Sequence, residues 1–280
     1  MAKFTVGCVP FVNARPLVAW FDSLGAESPV RVVYEIPSLL PKMLDEGRAD
    51  AVLASSFDAL VTPGRRIAEG VCIGSYGKAE SVKLFSNVPF PEIGSLALDQ
   101  SSMTSNYLAQ IVLIETYGAR PSVEVAKPNL DAMLELHDAA VLIGDIGMTT
   151  SGDGLHVLDL GEAWTSMTGL PFVWAAWIGG EGLTTELATL LHRAERWSNE
   201  HIQDVIDQAA ESSGWDRNAC ARYLTRTMLY PMGDRELAGL AAFRDALLRC
   251  GLVDSAVFPT VQPLDRAGGD VPQREKASKL

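Results

Sequence analysis

Residues 4–56, FTVGCVPFVNARPLVAWFDSLGAESPVRVVYEIPSLLPKMLDEGRADAVLASS, decide the fold. Phe4 to Val9 is a short apolar, β-rich run of the kind a buried strand shows. Ala14 to Leu24 then carries a helical pattern, begun by Asn13 and holding Pro16 in its first turn, where an N–H has no helical partner to lose. Val30 to Glu35 reads as a second strand and Leu39 to Glu46 as a helix stopped by Gly47. Asp50 to Ala54 is a third short strand that ends in the turn Ser55-Ser56. Strand, helix, strand, helix, strand is the rhythm of a parallel sheet covered by helices.

The rhythm restarts at Gly94 with strand Ser95 to Leu98, a polar loop, helix Thr104 to Tyr117, strand Val123 to Ala126, helix Leu130 to Leu136 and strand Ala140 to Ile143. Two sheets account for this more economically than one. Ser81 to Ser86 is extended and leads into the second unit, and the apolar run Leu170 to Ile178 leads back. Beyond it the pattern is helical. Leu183, Leu187, Leu191, Ala194, Ile202 and Val205 share one face of a long helix. Arg217 to Met228 and Arg235 to Arg249 follow, the latter capped by Asp234 and ended by Gly251. The expected architecture is α/β with two lobes, the second inserted into the first, and a helical C-terminal part. Lobe 1 comprises 1–87 and 174–265, lobe 2 comprises 88–173, and 266–280 form a tail. A cleft between lobes is where a ligand is expected.

Composition excludes several classes of function. The chain has 280 residues, 48% of them hydrophobic, which is enough for a substantial core. Lys and Arg number 23 against 35 Asp and Glu, a net charge of −12. Nucleic acids and anionic membrane surfaces are attracted by clustered basic residues, so neither is an expected partner. The four His (137, 156, 192, 201) and four Cys (8, 72, 220, 250) include no CxxC and no HExxH, so no metal site and no disulfide framework is expected. No Walker A loop or GxGxxG turn is present, and no cofactor is expected. The start at Met1 lacks the pattern of a secretory leader, and no apolar run approaches the ~20 residues of a membrane span. Ser278-Lys279-Leu280 match a peroxisomal address, but three letters in a polar tail weigh less than a cytoplasmic assignment. A monomer or homodimer is expected.

The densest local signal is Asp99-Gln100-Ser101-Ser102-Met103-Thr104-Ser105-Asn106, between a strand and a helix. Four hydroxyls and free backbone N–H groups meet where the helix dipole is positive, which suits a carboxylate or phosphate. A plain Ser/Thr cap would need only one of them. Asn13 follows the first strand, at the end where open α/β sheets meet their ligands, although by pattern alone a helix cap is the favoured reading. Ser55 and Ser56 occupy the same place after the third strand. Ser81 lies on the crossover, where its hydroxyl could face the cleft. Asp145, in Gly144-Asp145-Ile146-Gly147, could cap a helix, orient a ligand or support a hinge. Arg15 is either a partner for an anion or a solvated charge.

Six segments in this order carry a resemblance along nearly the whole chain: VPFVNARPL (9–17), DAVLASSFDAL (50–60), SVKLFS (81–86), QSSMTS (100–105), AVLIGDIGM (140–148) and DLGEAWTSMTGLPFVWAAW (159–177). The chain resembles the chorismate dehydratases of the futalosine route to menaquinone, whose fold is similar to type 2 periplasmic binding proteins. The resemblance implies loss of water from chorismate, a dianion, to give 3-[(1-carboxyvinyl)oxy]benzoate. It implies that Asn13 and Ser81 contact the reacting portion of the substrate. Ser102, Thr104 and Ser105, with Ser55 and Ser56 opposite, would hold carboxylate and ring, and Gly144 and Asp145 would shape the far wall; backbone amides or Arg15 would have to make up for any anion-holding cation the family has and this chain lacks. Members of that family often carry a basic residue where this chain has Met103. The sister family acting on cyclic dehypoxanthine futalosine resembles the chain less, since its more polar start and its His after the glycine at Gly144 are missing. A non-catalytic small-anion binding protein is the remaining alternative.

Overall fold

The computed structural model describes residues 2–266. β1 (Phe4–Cys8), β2 (Val30–Tyr34) and β3 (Ala51–Ser55) pair in parallel about β1, with Phe4 opposite Val30 and Val6 opposite Ala51. Val6, Cys8, Ala51, Val52 and Leu53 are all buried, as expected of strands covered on both faces. The helix expected from Ala14 divides into a 3-10 turn, Val12–Leu17, and α1 (Ala19–Leu24), with Val18 at φ −131° between them. Pro16 inside the turn has no N–H to continue a regular ladder. A second short helix, α2 (Leu40–Asp45), precedes β3, and α3 (Ser56–Val61) follows it directly.

β4 (Arg66–Ser75) is a ten-residue strand that the sequence pattern conceals. Glu69, Gly70 and Gly74 interrupt its apolar run, and at Gly70 the chain takes φ +83° where the register against its neighbour shifts. The chain then passes to a second sheet. It is built from β5 (Lys83–Ser86), β6 (Ser95–Asp99), β7 (Ser122–Ala126), β8 (Ala139–Leu142) and β9 (His156–Asp159), in the order β7-β6-β8-β5-β9. α4 (Thr104–Tyr117), α5 (Leu130–Leu134), α6 (Gly144–Thr149) and α7 (Leu160–Thr168) cover and cap it. β10 (Phe172–Gly179) returns to the first sheet, antiparallel to both β3 and β4.

The C-terminal part is helical, with α8 (Thr185–Glu200), α9 (Ile202–Ser213), α10 (Arg217–Arg222) and α11 (Asp234–Arg249). It also holds two short strands absent from the sequence reading, β11 (Met228–Met232) and β12 (Thr260–Gln262), which both pair with β4, β11 along Gly70–Ser75 and β12 along Arg66–Ala68, and extend the first sheet to seven strands among the described residues. The single long helix expected over 183–205 is two, divided at His201 (φ −113°, ψ 30°). At α11 the cap is Gly233 rather than Asp234, and Glu236 reaches back to accept the Gly233 N–H at 2.8 Å. Sheet membership changes between Ser75 and Lys83, and again between Asp159 and Phe172. Both changes fall earlier than the lobe boundaries at 87 and 173, because β5 pairs with β8 and β9, and Phe172 already pairs with Ser75. Of the expected tail only Arg266 is described; residues 267–280, with the terminal Ser-Lys-Leu, lie outside the described residues.

Candidate active site

The carboxyl ends of β1 and β3 in one sheet face those of β6 and β8 in the other across a cleft, the place where α/β sheets present their ligand sites. Asn13, Ser55, Ser81, Ser102, Thr104, Ser105 and Gly144 all line it. Val9, Phe11, Leu53, Ile73 and Trp174 form the apolar part of the wall. Among the described residues, no lining side chain carries a charge. An outer bay, lined by Ile36, Asp99, Gly144, Asp145 and Ile146, continues from the mouth.

Each polar wall is held from behind. Ser55 Oγ meets Thr104 Oγ1 across the sheets, and Thr104 Oγ1 donates to the Trp174 carbonyl at 3.0 Å. The start of α4 is folded by Asp99, whose Oδ1 accepts from Ser101 N–H (2.8 Å) and Oγ (2.5 Å), while Oδ2 accepts the Ile143 N–H at 3.3 Å. The two cleft loops of the second sheet therefore hang on one buried carboxylate. Asn106 Nδ2 donates back to the carbonyls of Asp99 (2.9 Å) and Ser102 (2.6 Å), and the Ser105 N–H bonds Ser102 Oγ at 3.3 Å. Backbone N–H groups and hydroxyls thus face the cleft at the positive end of a helix of 14 residues.

The crossover bearing Ser81 is clamped by Asp159. Its carboxylate caps α7 through the Gly161 and Glu162 N–H groups and also accepts those of Ala79 (2.9 Å) and Glu80 (2.7 Å). A Cβ on Gly161 would meet the Gly77 carbonyl at 2.7 Å, so only glycine lets α7 approach this closely. The same holds at Gly147, where a Cβ would sit 2.4 Å from the Ser81 carbonyl.

Three expected site residues fall elsewhere. Ser56 opens α3, one residue past the end of β3, where it is buried and donates to the Val173 carbonyl at 2.6 Å. Arg15 lies outside the cleft, ion-paired with Asp22 at 3.2 Å and donating to the Tyr34 hydroxyl at 3.0 Å. Asp145 does not reach the inner cleft; it stands in the first turn of α6, makes no cap, and burial raises its carboxyl above the ordinary range. One residue was missed altogether. The Tyr223 hydroxyl lies 2.8 Å from Ser81 Oγ and accepts from Asn13 Nδ2 at 3.4 Å. No local pattern announces it. Asp159 was findable, because Asp followed three residues later by Glu162 is a helix-start pattern.

Two sheets on either side of a cleft, with crossover segments between them, define the fold of the periplasmic binding proteins. The aliphatic sulphonate binding protein of Escherichia coli superposes with a TM-score of 0.61 at 15% identity, covering 98% of both chains. A protein from Archaeoglobus fulgidus reaches 0.70 at 20% identity, over 90% of this chain and 98% of its own. A family model described as menaquinone biosynthesis matches residues 4–248, and the chain belongs to that family. It is 26% identical over 267 residues to a chorismate dehydratase of Thermus thermophilus, covering 88% of this chain and 96% of that protein.

Proposed function

We propose that the protein is a chorismate dehydratase, removing water from chorismate to give 3-[(1-carboxyvinyl)oxy]benzoate. The observation that carries this reading is a cleft rich in hydroxyl and amide groups with no ionisable side chain in its lining, in a chain of the menaquinone biosynthesis family. Such a site offers hydrogen bonds and shape but no general base. The substrate must bring its own, and chorismate carries a carboxylate on its enolpyruvyl arm close to the ring proton that is lost.

In this scheme the enolpyruvyl carboxylate takes the ring proton while Asn13 holds it in place. The C–H electron pair becomes a ring double bond, the bond to the neighbouring hydroxyl breaks, and the departing hydroxide takes back the proton that the enolpyruvyl carboxylate had collected, so water leaves and the carboxylate is regenerated. Aromatisation supplies the driving force, so the protein positions and shields. Asn13 and Ser81 contact the reacting portion; Thr104, Ser105, Ser102 and Ser55 take the ring carboxylate and ring, and Gly144 forms the far wall with Asp145 at its outer edge. Charge neutralisation at the α4 start comes from N–H groups and the helix dipole rather than from Arg15. A biosynthetic step of this kind belongs in the cytoplasm, and no described helix is long and apolar enough to cross a membrane.

The test is incubation of the purified protein, characterised by light scattering as monomer or homodimer, with chorismate. Liquid chromatography with mass spectrometry should show a product lighter by one water. Tight chorismate binding without product would make the protein a binding protein instead. Asn13→Ala should abolish turnover; full turnover in that variant would sink the substrate-assisted scheme.

A further inference from the structure

Asn13 and Ser81 are tied together by a side chain from the far end of the chain. Tyr223 is 2% exposed and opens a π turn, Tyr223–Thr227, between α10 and β11. Turns of this width are uncommon and concentrate at functional sites. Its oxygen is 2.8 Å from Ser81 Oγ and 3.4 Å from Asn13 Nδ2. An amide nitrogen only donates, so the phenol oxygen accepts from Asn13 and its one proton is directed to Ser81 Oγ. The Ser81 proton is then left for the Ala79 carbonyl at 3.3 Å or for a bound molecule. With Nδ2 turned to Tyr223, the Oδ1 of the cleft-lining Asn13 is buried and has no hydrogen-bond partner among the described residues, a costly arrangement unless a ligand donor meets it.

The other end of the π turn is fastened to the same crossover. Thr227 Oγ1 donates to Glu80 Oε1 at 3.1 Å, and Glu80, a non-glycine residue, is held at φ +60°. A strained backbone position next to Ser81 persists only where its surroundings determine it, and here Asp159 and Thr227 do so. Burial pushes the Tyr223 phenol up to about 12, so it stays a protonated donor at neutral pH.

We infer that Tyr223 is a positioning residue of the dehydration, fixing the Asn13 amide and the Ser81 hydroxyl in the orientation they present to the substrate. This rests on the dehydratase reading above. Tyr223→Phe removes the hydroxyl and keeps the ring that packs on Trp215. It should lower kcat about 10- to 100-fold, the scale of a misplaced catalytic group, with KM within about threefold of wild type and a melting temperature lowered by only a few degrees, the cost of a lost buried hydrogen bond. Combined with Ser81→Ala the losses should multiply only in part, because one of the two contacts of the Tyr223 hydroxyl is already gone and the one to Asn13 remains. Tyr34→Phe, the same chemical change outside the cleft, should keep full turnover. Full kcat in Tyr223→Phe, a loss in KM alone, or losses that multiply in full with Ser81→Ala would overturn the inference. A second readout needs no turnover. With asparagine labelled by nitrogen-15, the Asn13 side-chain amide signal, assigned by its disappearance in Asn13→Ala, should shift in Tyr223→Phe. An unmoved signal refutes the contact, whereas a wild type that forms no product refutes the dehydratase reading instead.

Discussion

Ser55 and Ser56 are identical neighbours, and the turn from the end of β3 into α3 gives them opposite roles. Ser55 faces the cleft against Thr104, while Ser56 is buried against the Val173 carbonyl. Ser56→Ala is expected to cost about 1 kcal/mol of stability, the net value of a buried hydrogen bond, with kcat/KM unchanged. Ser55→Ala should do the reverse, raising KM for chorismate several-fold with little change in the urea midpoint. Equal effects of the two variants on both measurements would mean that the cleft wall is wrongly drawn. Arg15→Met tests the anion site. The guanidinium is engaged by Asp22 and Tyr34, so kcat/KM should stay within about twofold of wild type. A large rise in KM would place Arg15 on the substrate. Its residue type suggested an anion partner; only the tertiary position of Tyr34 and Asp22 answered otherwise.

Among the elements, α6 and α7 decide where Ser81 stands. Gly147 on α6 lies against the Ser81 carbonyl, and Gly147→Ala would force the crossover away by overpacking, at a cost of about 1–3 kcal/mol. Turnover should fall further than stability alone explains, measured as kcat on the fraction folded at low temperature. Normal kcat in that folded fraction would show that the crossover tolerates displacement. The parallel β1-β2-β3 unit and the restart at β6 were legible because short, apolar runs separated by helical stretches and turn residues leave a strong local pattern. β4, β9 and β11 were not. Their residues RIAEGVCIGS, HVLD and MLYPM are interrupted by Gly, Asp or Pro, and their pairing is fixed by neighbours distant in sequence.

For the molecule as a whole, pH separates catalysis from stability. With no ionisable group lining the cleft and Tyr223 protonated, kcat is expected to be flat from about pH 6 to about pH 9. A bell-shaped profile in that range would require a protein acid or base. Stability should behave differently. Burial lowers the His192 imidazole below its ordinary 6.5, with Arg196 acting in the same direction and Glu69 opposing. The unfolded chain therefore binds this proton first, and the folded state loses stability as pH falls below about 6.5. Urea midpoints at pH 7.5 and about pH 5.5 should converge in His192→Gln relative to wild type. Identical pH slopes in the two proteins would remove His192 as the cause.

The sequence by itself determined the two α/β units, the crossovers, the helix start rich in hydroxyls and the absence of a basic field for polyanions. These are local or compositional properties, written in periodicity, caps and charge. It also placed Asn13, Ser55, Ser81, Thr104 and Ser105 at strand and helix ends, which is where they meet. The tertiary structure alone decided that Ser56 and Arg15 face away, that Asp159 clamps the Ser81 crossover, and that Tyr223 closes the contact between Asn13 and Ser81. Those outcomes depend on side-chain direction and on contacts between segments far apart in the chain, and neither leaves a trace in local pattern.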